Sequence, residues 1–148
     1  MSAQITLNWV KDTTFETQLD GHPITIDTAV EKGGNDKGPR PKALMLVALA
    51  GCTGMDVAPL LRKMRVRLES LAIDVEAETS DGIPTVYTSF HITYRVKGEE
   101  ADGAKILKAI RLSQETYCGV SMMLKKIAPV SWSATLNGLA LTPETTAK

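Results

Sequence analysis

An α+β fold, with helices packed on one face of mainly antiparallel sheets, is what this 148-residue chain predicts. Three observations point there. Apolar and polar residues alternate with the period of a strand near the start, through the middle and near the end of the chain. An unbroken apolar run, Leu44 to Ala50, follows a proline placed where helices open. Helical spacing returns between Ala101 and Ile127. A single domain over residues 1–148 fits the length, which suffices to bury about 70% of the unfolded surface.

In chain order, Ile5, Leu7 and Trp9 alternate with Thr6 and Asn8 as a half-buried strand. A Lys-Asp turn leads to Phe15, Thr17 and Leu19, and Asp20-Gly21 leads to Ile24 and Ile26, giving a three-stranded meander. Residues 31–40, rich in glycine and charge, read as a mobile loop. A long central helix is expected from Pro41 to Arg67, with a kink or break at Pro59 and a basic last turn suited to the negative end of the helix dipole. Being apolar on all sides, it should be buried on all sides. The apolar run is short of the about 20 residues that a bilayer span requires.

Beyond the helix, Leu71, Ile73, Val75 and Ala77 alternate with Asp74, Glu76 and Glu78. After a turn at Ser80–Pro84, Val86, Thr88, Phe90, Ile92, Tyr94 and Val96 alternate with polar partners, a long hairpin with one core face. A second helix is expected from about Ala101 to Thr116. A third starts near Cys118, carries Val120, Met123, Leu124 and Ile127 as a stripe, and stops at Pro129. Val130, Trp132, Ala134 and Leu136 form a last strand, and the tail after Pro143 reads as loose.

Composition excludes several classes. Lys and Arg number 17 against 17 Asp and Glu, so no sequence-wide field points to nucleic acid or an anionic membrane. The N-terminus has neither a basic n-region nor an apolar h-region, which makes a cytoplasmic location the expectation. No P-loop, Gly-x-Gly-x-x-Gly or Gly-x-Ser-x-Gly occurs, and no organic cofactor is expected. With no Cys-x-x-Cys or His pair at ligand spacing, no metal is expected either. His22 reads as a turn residue and His91 as a strand residue. Met45, Met55, Met64, Met122 and Met123 read as core fillers.

The chemistry-bearing candidates are the two cysteines, either inert core residues or a redox pair. Cys118 opens a helix, where the dipole favours a thiolate and would bring the thiol to a pKa of about 7–8. Cys52 lies too deep in its helix for that help and needs a cation or donor from elsewhere. Asp56, one turn later, would discourage a thiolate if both side chains point the same way.

The segment Pro39-Arg-Pro41 with Leu44-Met-Leu-Val-Ala-Leu-Ala-Gly-Cys52-Thr-Gly-Met-Asp-Val57 resembles a signature of the OsmC/Ohr family, the osmotically inducible and organic-hydroperoxide-resistance proteins. Leu112-Ser-Gln-Glu-Thr-Tyr-Cys118-Gly-Val-Ser-Met-Met-Leu-Lys125 is similar to the family's second-cysteine helix. The resemblance implies an OsmC-like fold in an intertwined homodimer with sites at the subunit interface. It also implies a thiol peroxidase in which Cys52 attacks an organic hydroperoxide and Cys118 resolves the sulfenic acid as a disulfide. A dithiol reductant, lipoylated protein in some members, resets the pair. The family's activating glutamate is expected just after the helix-opening proline, where this chain has Lys42-Ala43. Its activating arginine is expected among the N-terminal strands, yet no arginine precedes Arg40, which is left as the candidate substitute. The alternative is a non-enzymatic dimer binding a small hydrophobic molecule in its interface cavity.

Overall fold

A computed structural model describes residues 2–143; the tail expected to be loose lies outside them. Contacts divide the chain into two compact units, Met1–Met45 and Leu46–Lys148.

The first unit is the expected meander: β1 (Asn8–Lys11), β2 (Thr14–Leu19) and β3 (His22–Ile26), antiparallel in that order. Ile5 and Leu7 precede β1 rather than forming it, and with Trp9 and Val10 they are exposed. Asp20 and Gly21 both have positive φ, 50° and 80°, as a two-residue hairpin turn requires. His22 begins β3 and pairs with Leu19.

The glycine-rich loop expected to be mobile is braced instead. Asp27, only 2% exposed, accepts from the hydroxyls of Thr13 (2.7 Å) and Thr14 (2.9 Å). It also accepts from the amides of Thr28 (2.7 Å), Asn35 (3.1 Å) and Lys37 (3.2 Å). Burial alone would raise its pKa, but these bonds outweigh it and hold the carboxyl well below the usual range. Gly34 and Gly38 permit the close fold-back. A Cβ at either would sit 2.0 Å from the Thr28 carbonyl oxygen or 2.1 Å from that of Thr25.

Helix α1 (Pro41–Lys63) runs past the unit boundary. Its buried stripe is Leu49, Thr53, Val57 and Leu61, one residue per turn, while Val47 and Met55 are 64% and 79% exposed. The expectation of burial on all sides is therefore wrong for a single chain, whose core covers one stripe only. Pro59 does not break the helix, and Met55, whose carbonyl it deprives of a partner, lies on the exposed face. The helix stops short of Arg67. Arg65 takes a left-handed φ of 60°, with Val66 N–H bonded to Leu61 O and Arg65 N–H to Arg62 O. This is a Schellman ending, and buried Val66 and Leu61 supply its apolar contact. At 23 residues α1 is also long and apolar enough to cross a membrane by length and composition, contrary to the expectation from its apolar run alone.

The second unit's sheet is ordered β4 (Leu68–Thr79), β5 (Tyr87–Gly98), β6 (Val130–Leu136), β7 (Leu139–Ala140). The β4–β5 hairpin has the expected inward set, with Phe90, Ile92, Tyr94 and Val96 all buried. At its turn end the phase changes. Thr79 pairs with Tyr87 and Glu78 with Ser89, so Thr88 is the extra residue of a bulge. Tyr87 thereby packs on the core and Val86 is exposed, the reverse of simple alternation. β6 joins β5 in parallel, which requires the crossover built by α2 (Gly103–Leu112), a π-helical turn (Ser113–Tyr117) and α3 (Gly119–Leu124). Ile106, Leu107, Ala109 and Ile110 put α2 on the core.

On α3 the expected stripe holds only in part: Leu124 is buried, but Met123 and Ile127 are 63% and 71% exposed. Met45, Met55 and Met122 are exposed too, leaving Met64 as the methionine that packs on the core. Those methionines were misread as fillers because apolar spacing does not distinguish core from uncovered surface.

Candidate active site: a thiol pair beside a buried polar network

Cys52 sits on α1 one residue before the buried Thr53, so its side chain lies at the edge of the buried stripe and is half-buried. Asp56 follows one turn later, on the same face as Cys52. Cys118 arrives from the crossover. The π-helical turn ends as Cys118 N–H bonds to Ser113 O at 2.8 Å, and the residue then adopts an extended conformation as N-cap of α3. Its Sγ accepts from the Ser121 amide at 3.4 Å, and the residue is fully buried. The Sγ atoms of both cysteines and a carboxylate oxygen of Asp56 all lie within 4.8 Å of one another. Both cysteines are free thiols, not yet at the about 2.05 Å of a disulfide.

The Cys118 thiol does not have the lowered pKa expected from its helix position. Burial pushes it up, bonding from the Ser121 hydroxyl and amide only partly opposes this, and neighbouring Cys52 raises it further. Desolvation outweighs a dipole from a helix of only six residues. Asp56 is the residue whose role the sequence left conditional, and it does point toward both thiols.

Behind the thiols lies a polar network whose hydrogens can be assigned by donor counting. Ser113 donates to Asp56 Oδ2 at 2.9 Å, so toward Thr53 (2.8 Å) Ser113 can only accept. Thr53 then spends its hydrogen on Ser113 and must accept from Tyr94 Oη at 2.6 Å. Gln114 Nε2 donates one hydrogen to Tyr94 Oη (2.9 Å) and one to Thr53 Oγ1 (3.2 Å). Every hydrogen is used once, and the chain is polarised toward the Asp56 carboxylate. Burial raises the Tyr94 pKa despite its bonds with Thr53 and Gln114. Gln114 Oε1 and Ser121 Oγ are left buried without a partner of good geometry. Lys125 Nζ secures the turn by bonding Gln114 O at 2.5 Å.

Sequence reasoning found both cysteines but missed Ser113, Gln114, Thr53 and Tyr94 as a unit. Thr53, one turn after Leu49 on the expected buried helix, was the available signal, since a hydroxyl on a buried helix face requires a partner. The candidate substitute Arg40 belongs to the first unit, where it pairs with Asp36 at 2.6 Å and donates to Gly38 O at 3.4 Å. His91, on β5, is held by Ser131 (2.7 Å) and Ser133 (2.9 Å).

Residues 34–133 match the model of a family described as OsmC-like protein. Protein YhfA of Escherichia coli K12 is 30% identical over 131 residues, which cover 88% of this chain and 95% of that protein. Among solved structures, a hypothetical protein from Aquifex aeolicus VF5 superposes with a TM-score of 0.75 at 26% identity, over 93% of this chain and 99% of that one. A Legionella pneumophila protein described as organic hydroperoxide resistance protein OsmC superposes with a TM-score of 0.66. That pair is 15% identical, covering 91% of this chain and 97% of the other, a likeness of fold.

Proposed function

Since this chain belongs to the OsmC/Ohr family of OsmC-like proteins, we propose that it is a cytoplasmic thiol peroxidase that reduces organic hydroperoxides with Cys52 and Cys118. The observation that carries this reading is the thiol pair itself: one half-buried and one fully buried sulfur within 4.8 Å. Cys52, as thiolate, attacks the terminal peroxide oxygen. The O–O bond breaks, the alcohol leaves with a proton, and Cys52 becomes a sulfenic acid. Cys118 Sγ then attacks the Cys52 sulfur, forming the disulfide and releasing water. A dithiol reductant such as a lipoylated protein reverses the disulfide by exchange and is itself oxidised. The Legionella protein's description, hydroperoxide resistance and redox, agrees in kind.

The family's partner arrangement is part of the proposal. Val47 and Met55 on α1, and Ile5, Leu7 and Trp9 in the first unit, are exposed apolar residues that a second copy would cover. A folded monomer in sedimentation equilibrium at low micromolar concentration is the result that would count against the homodimer.

The deciding experiment is rapid mixing of reduced protein with an alkyl hydroperoxide. Loss of two thiols per peroxide, with an intramolecular disulfide found by mass spectrometry and Cys52→Ser as blank, is expected. No reaction while Cys52 remains alkylatable favours the second reading, a non-enzymatic dimer that binds a small hydrophobic molecule. One feature supports that reading: a mostly apolar depression of about 360 Å³ in the first unit, lined by Leu7, Phe15, Ile26 and Pro41.

A further inference from the structure

We propose that Cys52, Asp56 and Cys118 form a binding site for a thiophilic divalent cation of the zinc class, with the fourth coordination position open to water. Two thiolates and a carboxylate are a donor set suited to zinc, and catalytic zinc sites keep three protein ligands with one open position. The geometry is close to what the ion needs. Two sulfurs on one tetrahedral zinc, each about 2.3 Å from it, stand roughly 3.8 Å apart. The three donors here already lie within 4.8 Å of one another, so side-chain adjustments on the order of 1 Å would close the set.

The surroundings also point to a cation. Asp56 Oδ2 accepts from the Ser113 hydroxyl at 2.9 Å, the kind of outer-shell bond that orients a metal ligand. Ser121, whose amide already donates to Cys118 Sγ, has a fully buried hydroxyl without a partner of good geometry beside the same sulfur. Beside that sulfur, the hydroxyl would donate to a metal-bound thiolate. No lysine, arginine or histidine pairs with Asp56 among the described residues, so no ion pair offsets its charge there. Two thiolates and one carboxylate would carry three negative charges, and a divalent ion neutralises most of them. As each Sγ–metal bond forms, its thiol loses one proton to solvent, and no oxidant or reductant is consumed. Cys52 and Asp56 are only half-buried, so the ion enters from their side.

This site does not depend on the peroxidase reading, because the metal-loaded state holds both thiols reduced and occupied. The test is anaerobic titration of the reduced full-length protein with cobalt(II), followed by zinc(II). The expected result is a thiolate-to-cobalt charge-transfer band in the near ultraviolet, with strong visible bands of tetrahedral cobalt. Both should saturate at stoichiometric metal and be abolished by zinc. Cys52→Ser and Cys118→Ser should each lose most of the charge-transfer intensity, and Asp56→Asn should bind at least several-fold more weakly. Ser113→Ala should weaken binding about tenfold, while His22→Ala and His91→Ala should change nothing. Absence of the charge-transfer band, only the weak spectrum of octahedral cobalt, or a band that survives Cys52→Ser would overturn the proposal. If Cys118→Ser fails to fold, the half-buried Cys52→Ser variant decides alone. Hydroperoxide takes no part in the titration, so its result is separable from failure of the peroxidase reading.

Discussion

Ser113, in the π-helical turn, donates its hydroxyl hydrogen to the Asp56 carboxylate of α1 across 2.9 Å. That bond ties the crossover to the helix carrying Cys52, and it fixes the direction of every hydrogen bond behind it. An α-helical continuation in place of the π turn would rotate Ser113, Gln114 and Cys118 out of their present alignment. Turns of this kind recur at functional sites for that reason. The network and the thiols therefore share one local irregularity of the backbone.

Removing the Tyr94 hydroxyl should cost stability rather than merely trim a contact. Tyr94→Phe leaves one Gln114 Nε2 hydrogen and one Thr53 lone pair without partners in a buried place. A loss of about 1–3 kcal/mol is expected. Urea unfolding should show a lower midpoint with an unchanged slope. A neutral outcome would mean that water enters the network.

Asp27 predicts a component of acid sensitivity. Its folded pKa lies below the unfolded value of about 3.9. The stability it contributes is therefore complete above the unfolded pKa and is lost as pH falls through and below about 4 toward the folded pKa. Asp27→Asn should lower the melting temperature at pH 7 and flatten its decline between about pH 5 and pH 3. Parallel melting curves for the two proteins would show that the loop is braced by something else.

Periodicity made most of the fold legible. The meander, the β4–β5 hairpin and the β6 strand all carry period-two alternation, and in β4–β5 and β6 the apolar set meets a core. What it could not show were local backbone events. The bulge at Thr88 inverted Tyr87 and Val86, the π-helical turn replaced the last turn of the second helix, and Arg65 stopped α1 before the basic run was spent. Each is set by hydrogen-bond geometry that residue type barely encodes. The uncovered face of α1 was misread because apolarity states that a surface is unfavourable in water without stating what covers it. Of the site, both cysteines were legible by type and helix position. The polar network was not, because its members come from α1, β5 and the π-helical turn and meet only in space.

One hairpin was readable and passed over. Asn137-Gly138 between Leu136 and Leu139 is a two-residue turn signal, and both residues have positive φ, 52° and 84°. Gly138→Ala should destabilise by about 1–2 kcal/mol, because a Cβ is strained in the left-handed region although the space around it is open. Thermal unfolding of the variant against the parent measures this. An unchanged melting temperature would mean that β7 contributes nothing to the sheet.

The two thiols should differ sharply in reactivity while the protein is folded. Cys118 is fully buried, its pKa is raised by burial, and its sulfur is occupied by the Ser121 amide. Cys52 is half-buried and free. Native protein treated with a small alkylating agent should therefore lose one thiol in a fast phase. The second should be lost only at the rate at which the 103–124 segment opens locally. Cys52→Ser should abolish the fast phase and Cys118→Ser should keep it, while urea should make both thiols react alike in the parent. Prior exposure to an alkyl hydroperoxide should remove the fast phase from the parent protein if Cys52 is the attacking residue. Equal rates for the two thiols in the native state would contradict the burial difference on which the assignment of attacking and resolving roles rests.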